Sequence, residues 1–338
     1  MSNDAPKKTL DPTMIGSGVR LDWTQLPISL RSAIEDHLGA KVTDVVTRRG
    51  GFSPGLAATL HLSDGRRVFA KAVGSLPNPK SPDIYRKEIK VASSMPNLPQ
   101  VPRFLWSLDD GDWVVLLFEN VEGVQPELPW RSDELVRVLS AIGDLSNLLT
   151  PSPVPLPTVS EQFGDNFSGW RQFAKLVELR GRSSLRFLHD AWCLENIQLL
   201  ANLEEKWTDA SVGNTLLHAD LRADNLLLTK GRVLVVDWPW ACIGAKWIDL
   251  VFFLPSVAMQ GGPKPWELFD SHELAREADP SAVTCVLAAL TGVLLYLGNK
   301  PPEPGLPTLR QFQLAQGFAA LEWLKRRIKQ GQVSSTAL

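Results

Sequence analysis

The segment LLHADLRADNLLLTKGRVLVVDWPW, Leu216–Trp240, constrains this chain more than any other. Two short apolar runs, LLL and VLVV, flank the turn TKGR, so the segment reads as an antiparallel hairpin centred near Gly231. Asn225 and Asp237 each lie six residues from Gly231, and pairing in that register sets them side by side at the open end. Asp220, five residues before Asn225, is carried to the same end. An amide oxygen and a carboxylate that meet there suit a hard cation such as Mg²⁺. Taken singly, each residue also serves as a turn or cap residue of a surface hairpin. The set together, with an apolar strand running directly into Asp237, favours a site.

A second anomaly lies upstream, in GGFSPGLAATLHLSDGRRVFAKAV, Gly50–Val73. Leu56–Leu62 and Arg67–Val73 read as strands joined by the turn SDGR, after a first strand at Thr43–Arg48 and a helix at Leu30–Leu38. Alternation puts Lys71 on one face with Phe69 and Val73, where an ammonium needs a counter-charge. The next helical pattern, Ile84–Met95, has Ile84, Glu88, Val91, Ala92 and Met95 on one stripe, so Glu88 interrupts an apolar face. Two opposite anomalies in adjacent elements suggest that they meet. Snorkelling of Lys71 at a sheet edge, with Glu88 in solvent, is the plain alternative.

Trp113–Val121 is a continuous apolar run that suits a buried strand. Beyond Pro126 helical patterns dominate: Glu134–Leu149, Trp170–Leu179, Glu195–Lys206, Val283–Leu297 and Leu309–Ile328. The fold class is therefore α+β, with a small strand-rich part (21–122) before a larger, mostly helical one (123–338). TPSPVPLP, Thr150–Pro157, reads as a stiff connector.

The formal net charge of −2 shows no basic surplus of the kind a nucleic acid or an anionic membrane surface attracts. No run of apolar residues is expected to span a membrane. Residues 1–20 lack the apolar core of a secretory signal and read as a mobile tail. Cys193, Cys242 and Cys285 are scattered, which argues against a disulfide framework and a zinc site. A cytoplasmic protein is the expectation. Monomer and homodimer stay undecided.

HADLRADN followed by VVDW resembles the aminoglycoside phosphotransferase-like kinases, relatives of choline kinases and protein kinases that phosphorylate small molecules. The resemblance extends to LDWTQLP, the glycine turn, VFAKAV and WIDL. It implies a bilobal, protein-kinase-like fold that uses ATP (or GTP) and Mg²⁺. By that resemblance Asp220 orients the acceptor hydroxyl and takes its proton, and Asn225 and Asp237 hold Mg²⁺ against the phosphates. Lys71, held by Glu88, faces the α- and β-phosphates. Gly50, Gly51 and Ser53 cover the phosphates, Pro54 making a looser lid than in protein kinases. The backbone around Glu119–Val121 takes the adenine. His218 and Asp249 brace the loop. Arg222 either reaches the transferring phosphate or is a solvated loop charge. Neither GxxxxGK[ST] nor GxGxxG occurs, so P-loop and dinucleotide folds are poor alternatives.

Only eleven residues separate Asp237 from Asp249, too few for the long segment on which protein kinases seat a peptide. A small-molecule hydroxyl is the expected acceptor, an antibiotic or a metabolite, with Trp170, Trp238, Trp240 and the neighbourhood of Trp266 as candidate lining. A nucleotide-binding protein without transfer activity and a nucleotidyltransferase are the competing readings. The joint presence of Lys71, Glu88, Asp220, Asn225 and Asp237 counts against the first. The intact Asp220 loop counts against the second.

Overall fold

The computed structural model describes residues 20–48, 51–52, 54–181, 185, 188 and 190–331, apart from the side chain of Asp165. Most of the expected tail, Gly50 and Ser53 lie outside them. Arg20, at the end of that tail, is described and forms a parallel bridge with Gly55.

The strand-rich part begins with α1 (Ile28–Leu38), followed by β1 (Val42–Thr47), β2 (Leu56–Leu62) and β3 (Arg67–Gly74). Next come α2 (Ser81–Ser94), β4 (Phe104–Asp109) and β5 (Trp113–Glu119). The five strands form one antiparallel sheet in the order β1-β2-β3-β5-β4. Period-2 alternation decides which residues face the site. Ala58, Ala70 and Leu117 are cross-strand neighbours and pack with Leu26, Leu30, Ile34 and Leu38 on and before α1. The rows on either side of this one, Ala57, Lys71 and Leu116 and then Thr59, Phe69 and Phe118, point to the opposite face. Because helices cover both faces, β3 and β5 are almost continuously buried, as a doubly covered sheet requires.

Two local expectations change. The strand β4 was not expected; its residues FLWSLD are half-buried at the sheet edge and lack a clean alternation. Helix α2 starts at Ser81 rather than Ile84, with Pro82 in its first turn, where a missing N–H costs nothing. Its buried stripe is Tyr85, Glu88 and Val91, so Tyr85 takes the place assigned to Ile84.

The helical part contains α3 (Ser132–Leu148), α4 (Val159–Phe163), α5 (Gly169–Arg180), α6 (Ala191–Glu195), α7 (Ile197–Glu205) and α8 (Trp207–Ala210). The single helix expected over Glu195–Lys206 is interrupted at Asn196, which ends α6 and begins α7. Two pairs of short strands and the loops between them then build the site: β6 (Thr215–Leu217) pairs with β9 (Cys242–Gly244), and between them β7 (Leu226–Leu228) pairs with β8 (Val233–Val235). The chain ends with α9 (Ile248–Met259), α10 (Pro265–Ser271), α11 (Glu273–Arg276), α12 (Pro280–Gly298) and α13 (Leu309–Lys329).

Helix α12 is the spine of this part and packs against α5, α7, α8, α9 and α13. Its crossing with α5 is backbone to backbone: a Cβ on Gly169 would lie 2.0 Å from the Gly292 carbonyl oxygen. Contrary to the sequence expectation, α12 is long and apolar enough to cross a membrane, with a mean hydropathy of 2.0. Yet 72% of that window is buried inside the protein, which is how a core helix satisfies the same test.

Candidate active site

The β7–β8 hairpin forms, but slipped by one residue from the expected register. Leu226 faces Val235, so the residue opposite Asn225 is Val236, whose N–H donates to the Asn225 carbonyl at 3.0 Å. Asp237 follows at φ +69°, a left-handed conformation that an aspartate tolerates better than most side chains. This turn takes the chain off the ladder, and Asn225 and Asp237 still line one cavity. The Asn225 Nδ2 donates to the Asp220 carbonyl at 2.8 Å. Its Oδ1 has no partner among the described residues and remains for an electropositive ligand.

The loop before the hairpin is held by a buried carboxylate. Asp249, in the first turn of α9, accepts the N–H groups of His218 (2.8 Å, Oδ2) and Ala219 (2.7 Å, Oδ1). Ala219 sits at φ +60°, a strained position for a residue with a Cβ, and the two hydrogen bonds offset that strain. The buried His218 Nδ1 accepts the Asp220 N–H at 3.2 Å, which leaves its Nε2 to donate to the Val236 carbonyl at 3.0 Å. The imidazole therefore ties the Asp220 loop to the end of β8. Burial, opposed by the charge of Asp249, lowers its pKa from 6.5, so the ring is neutral at pH 7.

Across the cavity Lys71 and Glu88 meet. Lys71 Nζ lies 2.5 Å from Glu88 Oε2 and 2.6 Å from Asp237 Oδ1, and 4.9 Å from the centre of the Tyr85 ring. Only 7% of Lys71 and 2% of Glu88 is exposed, which rules out snorkelling. Burial works against the ammonium, but the charges of Asp237 and Glu88 outweigh it and keep Lys71 protonated. Burial also raises Asp237, yet Lys71 holds its carboxyl below the ordinary value. Glu88 stays above its ordinary value because burial exceeds its share of the same ammonium.

Asp220 points toward Arg222, whose Nη1 donates to Asp220 Oδ1 while Nε and Nη2 reach Asp224 at 3.0 and 3.2 Å. Arg222 is buried, so it is not a solvated loop charge. Burial pushes Asp220 up to about 6, against the opposing charge of Arg222.

The cavity has a volume of about 740 Å³, in the range of small-molecule sites. Gly51, Lys71, Glu88, Glu119, Val121, Asn225 and Asp237 line it, together with the apolar Ala57, Phe69, Phe118 and Leu227. The Glu119 N–H is taken by the Arg103 carbonyl at 2.9 Å. The Val121 N–H has no partner among the described residues and is the donor left for a ligand edge. Gly51, at φ +76°, brings its backbone close under Arg20. Among the described residues no group of three or more His, Cys, Asp or Glu could hold a metal by itself. Asn225 and Asp237 fit a cation that takes its other ligands from phosphate and water, the usual habit of Mg²⁺.

Of the tryptophans proposed for the acceptor side, Trp238 lines the cavity. Trp240 lies under the Lys87 ammonium and stacks with Phe163. Trp170 is fully buried and donates to the Ala288 carbonyl at 2.9 Å, so it is core. Sequence reasoning passed over Asp224, Phe52 and Phe312, which surround Arg222. Asp224 was visible as the acid beside Asn225; nothing in the sequence ties Phe312 to this loop.

A five-stranded sheet over a helical part, with the cavity at their junction, is a protein-kinase-like α+β fold. A model of the phosphotransferase enzyme family matches residues 52–282, more than half of the chain, and the chain belongs to that family. Three solved structures share the fold. Amicoumacin kinase, in complex with AMP-PNP, Ca²⁺ and Ami, is 12% identical (TM-score 0.51; 87% of this chain and 94% of that one). A choline/ethanolamine kinase family protein from Mesorhizobium loti is 14% identical (TM-score 0.53; 89% and 97%). Choline kinase from Cryptosporidium parvum is 12% identical (TM-score 0.54; 92% and 93%). No curated protein sequence matches this one.

Proposed function

We propose that this phosphotransferase moves the γ-phosphoryl group of ATP, with Mg²⁺, to a hydroxyl of a small molecule. The observation that carries the reading is the Glu88–Lys71–Asp237 arrangement beside Asn225 in one cavity, with Asp220 on the adjoining loop. Lys71 presents an ammonium, fixed by Glu88, to phosphate oxygens. Asn225 Oδ1 and Asp237 hold the metal, which neutralises phosphate charge when bound. Asp237 must then share its carboxylate between Lys71 and the cation. The Val121 N–H meets the purine edge, and Leu227 and Ala57 bound the ring.

Asp220 accepts the acceptor's hydroxyl proton on its carboxylate as the oxygen bonds to phosphorus. In phosphoryl transfer this proton need not leave early, so Asp220 orients the nucleophile more than it activates it. The short link from Asp237 to α9, only β9 and a turn on either side of it, offers no seat for a peptide. Two of the solved structures named above are by name an amicoumacin kinase and a choline kinase, which supports a small acceptor without selecting one.

The test is incubation with Mg·ATP and a panel of aminoglycosides, other antibiotics, amino alcohols and sugars, read by product mass. Addition of one phosphate to one of them is expected and names the acceptor. Addition of a nucleotidyl group overturns the reading in favour of nucleotidyl transfer. Binding of ATP with no product across the panel overturns it in favour of a silent nucleotide-binding protein.

A further inference from the structure

The glycine turn was expected to form a loose lid because of Pro54. Two of its described residues, Phe52 and Pro54, pack against the C-terminal part. The Phe52 ring meets Phe312, on the first turns of α13, edge to face at 5.1 Å. The Arg222 guanidinium lies 5.2 Å from the Phe52 ring centre and 5.8 Å from that of Phe312. Pro54 is buried beside the loop between α12 and α13, where a Cβ on Gly305 would stand 3.6 Å from it. Phe312 is itself 2% exposed and held on the long helix α13, whereas Phe52 is half-buried on the turn, so Phe312 is the more firmly held member of the group.

We propose that Phe312 is a positioning residue, the fixed half of a latch in which Phe52 docks the glycine turn and Arg222 is drawn across Asp220. Three elements far apart in sequence meet at one guanidinium: the turn through Phe52, the last helix through Phe312, and the Asp220 loop through Arg222 itself. Cation–π contacts favour the guanidinium over both rings, and the Asp220 and Asp224 carboxylates fix its other edge. The cavity reaches Phe52, Asp224 and Asn225, but its lining stops short of Asp220 and Arg222. The latch therefore stands between the nucleotide cavity and the side from which an acceptor reaches Asp220. Opening the turn breaks the aromatic contact and releases Arg222; withdrawing Arg222 removes half of what holds the turn. Phe312 does not line the cavity, and it acts through Phe52 and Arg222.

The latch is a property of the free chain, and only its effect on nucleotide affinity rests on the function proposed above. Trypsin cleavage between Arg48 and Arg49, at the edge of the turn, reports how often the turn opens. Fragments 1–48 and 49–338 of the full chain are followed by mass for the native sequence, Phe52→Ala, Phe312→Leu and the double variant. Phe312→Leu keeps the apolar packing of α13 but loses the ring face; thermal melting shows that it folds, and Phe52→Ala, on the half-buried turn, reports on the latch independently. Each single change is expected to speed this cleavage by roughly two- to tenfold, the strength of an aromatic pair, with the double variant no faster than the faster single. Unchanged cleavage, or effects that multiply in the double variant, overturns the latch. In a parallel titration with Mg·AMP-PNP, both singles are expected to weaken binding by a similar factor. A native chain that fails to bind Mg·AMP-PNP overturns the proposed function, while the cleavage rates still decide the latch.

Discussion

Lys71 and Asp237 are 166 positions apart in the chain and meet at 2.6 Å, with Glu88 closing on the same ammonium from the other side at 2.5 Å. One cation thus serves two carboxylates, and the contact joins β3 to the end of the β7–β8 hairpin. Lys71→Met leaves the buried Glu88 without a counter-charge. The expected loss is about 3–5 kcal/mol of stability, the usual penalty for orphaning a buried charge. The added change Glu88→Gln is expected to restore part of it. Urea unfolding midpoints at pH 7 check both, and a single variant as stable as the native chain contradicts the pairing.

Asp249 serves two backbone donors with its two oxygens. Asp249→Asn keeps the shape but offers one acceptor, and its NH₂ group faces an N–H it cannot bond. The variant is expected to lose about 1–3 kcal/mol and to release the strained Ala219 backbone. Faster amide exchange at His218 and Ala219, with the rest of β6 protected, is the readout.

Much of this site was legible because its residues break local rules. Lys71 on an apolar strand face and Glu88 on an apolar helix stripe each demanded a partner, and they supplied one another. Asn225 and Asp237 were legible from hairpin symmetry, although the register is shifted by one. The sequence could not announce the left-handed turn at Asp237 that compensates for this shift. Phe312 and Arg222 were opaque for a different reason: their meeting depends on how α13 crosses the Asp220 loop, a tertiary relation with no periodic signature. The membrane-length α12 misled for the same reason, since hydropathy does not tell a core spine from a span.

The pKa of Asp220, near 6, predicts the acid side of the pH profile for transfer. Only the ionised carboxylate accepts the hydroxyl proton, so the rate is expected to fall as pH drops through about 6. Arg222 opposes the rise caused by burial and by the charges of Asp224 and Asp237. Arg222→Gln removes that opposition and moves the limb to higher pH. A limb that stays in place in the variant contradicts the pairing of Arg222 with Asp220.

His218 makes stability depend on pH with the opposite origin. Its folded pKa is lowered by burial, while the unfolded chain takes up the proton near the ordinary 6.5. Below that value the unfolded state binds more protons, so this contribution to stability is lost as pH falls from 7 through 6.5 toward the folded value. His218→Asn removes the titrating ring. The difference in unfolding free energy between the native chain and the variant is expected to shrink between pH 7.5 and pH 5, in roughly the range set by the unperturbed histidine. A constant difference contradicts a neutral, doubly hydrogen-bonded imidazole.

The central claim is transfer of the terminal phosphoryl group under the direction of Asp220. ATP labelled at either the γ- or the α-phosphate, incubated with Mg²⁺ and the acceptor found by mass, tests it directly. The γ label is expected to enter the acceptor and the α label to stay with the nucleotide. Asp220→Asn is expected to slow this transfer by about 10²–10⁴-fold while sparing nucleotide binding. Entry of the α label into the acceptor, or undiminished γ transfer by Asp220→Asn, contradicts the account.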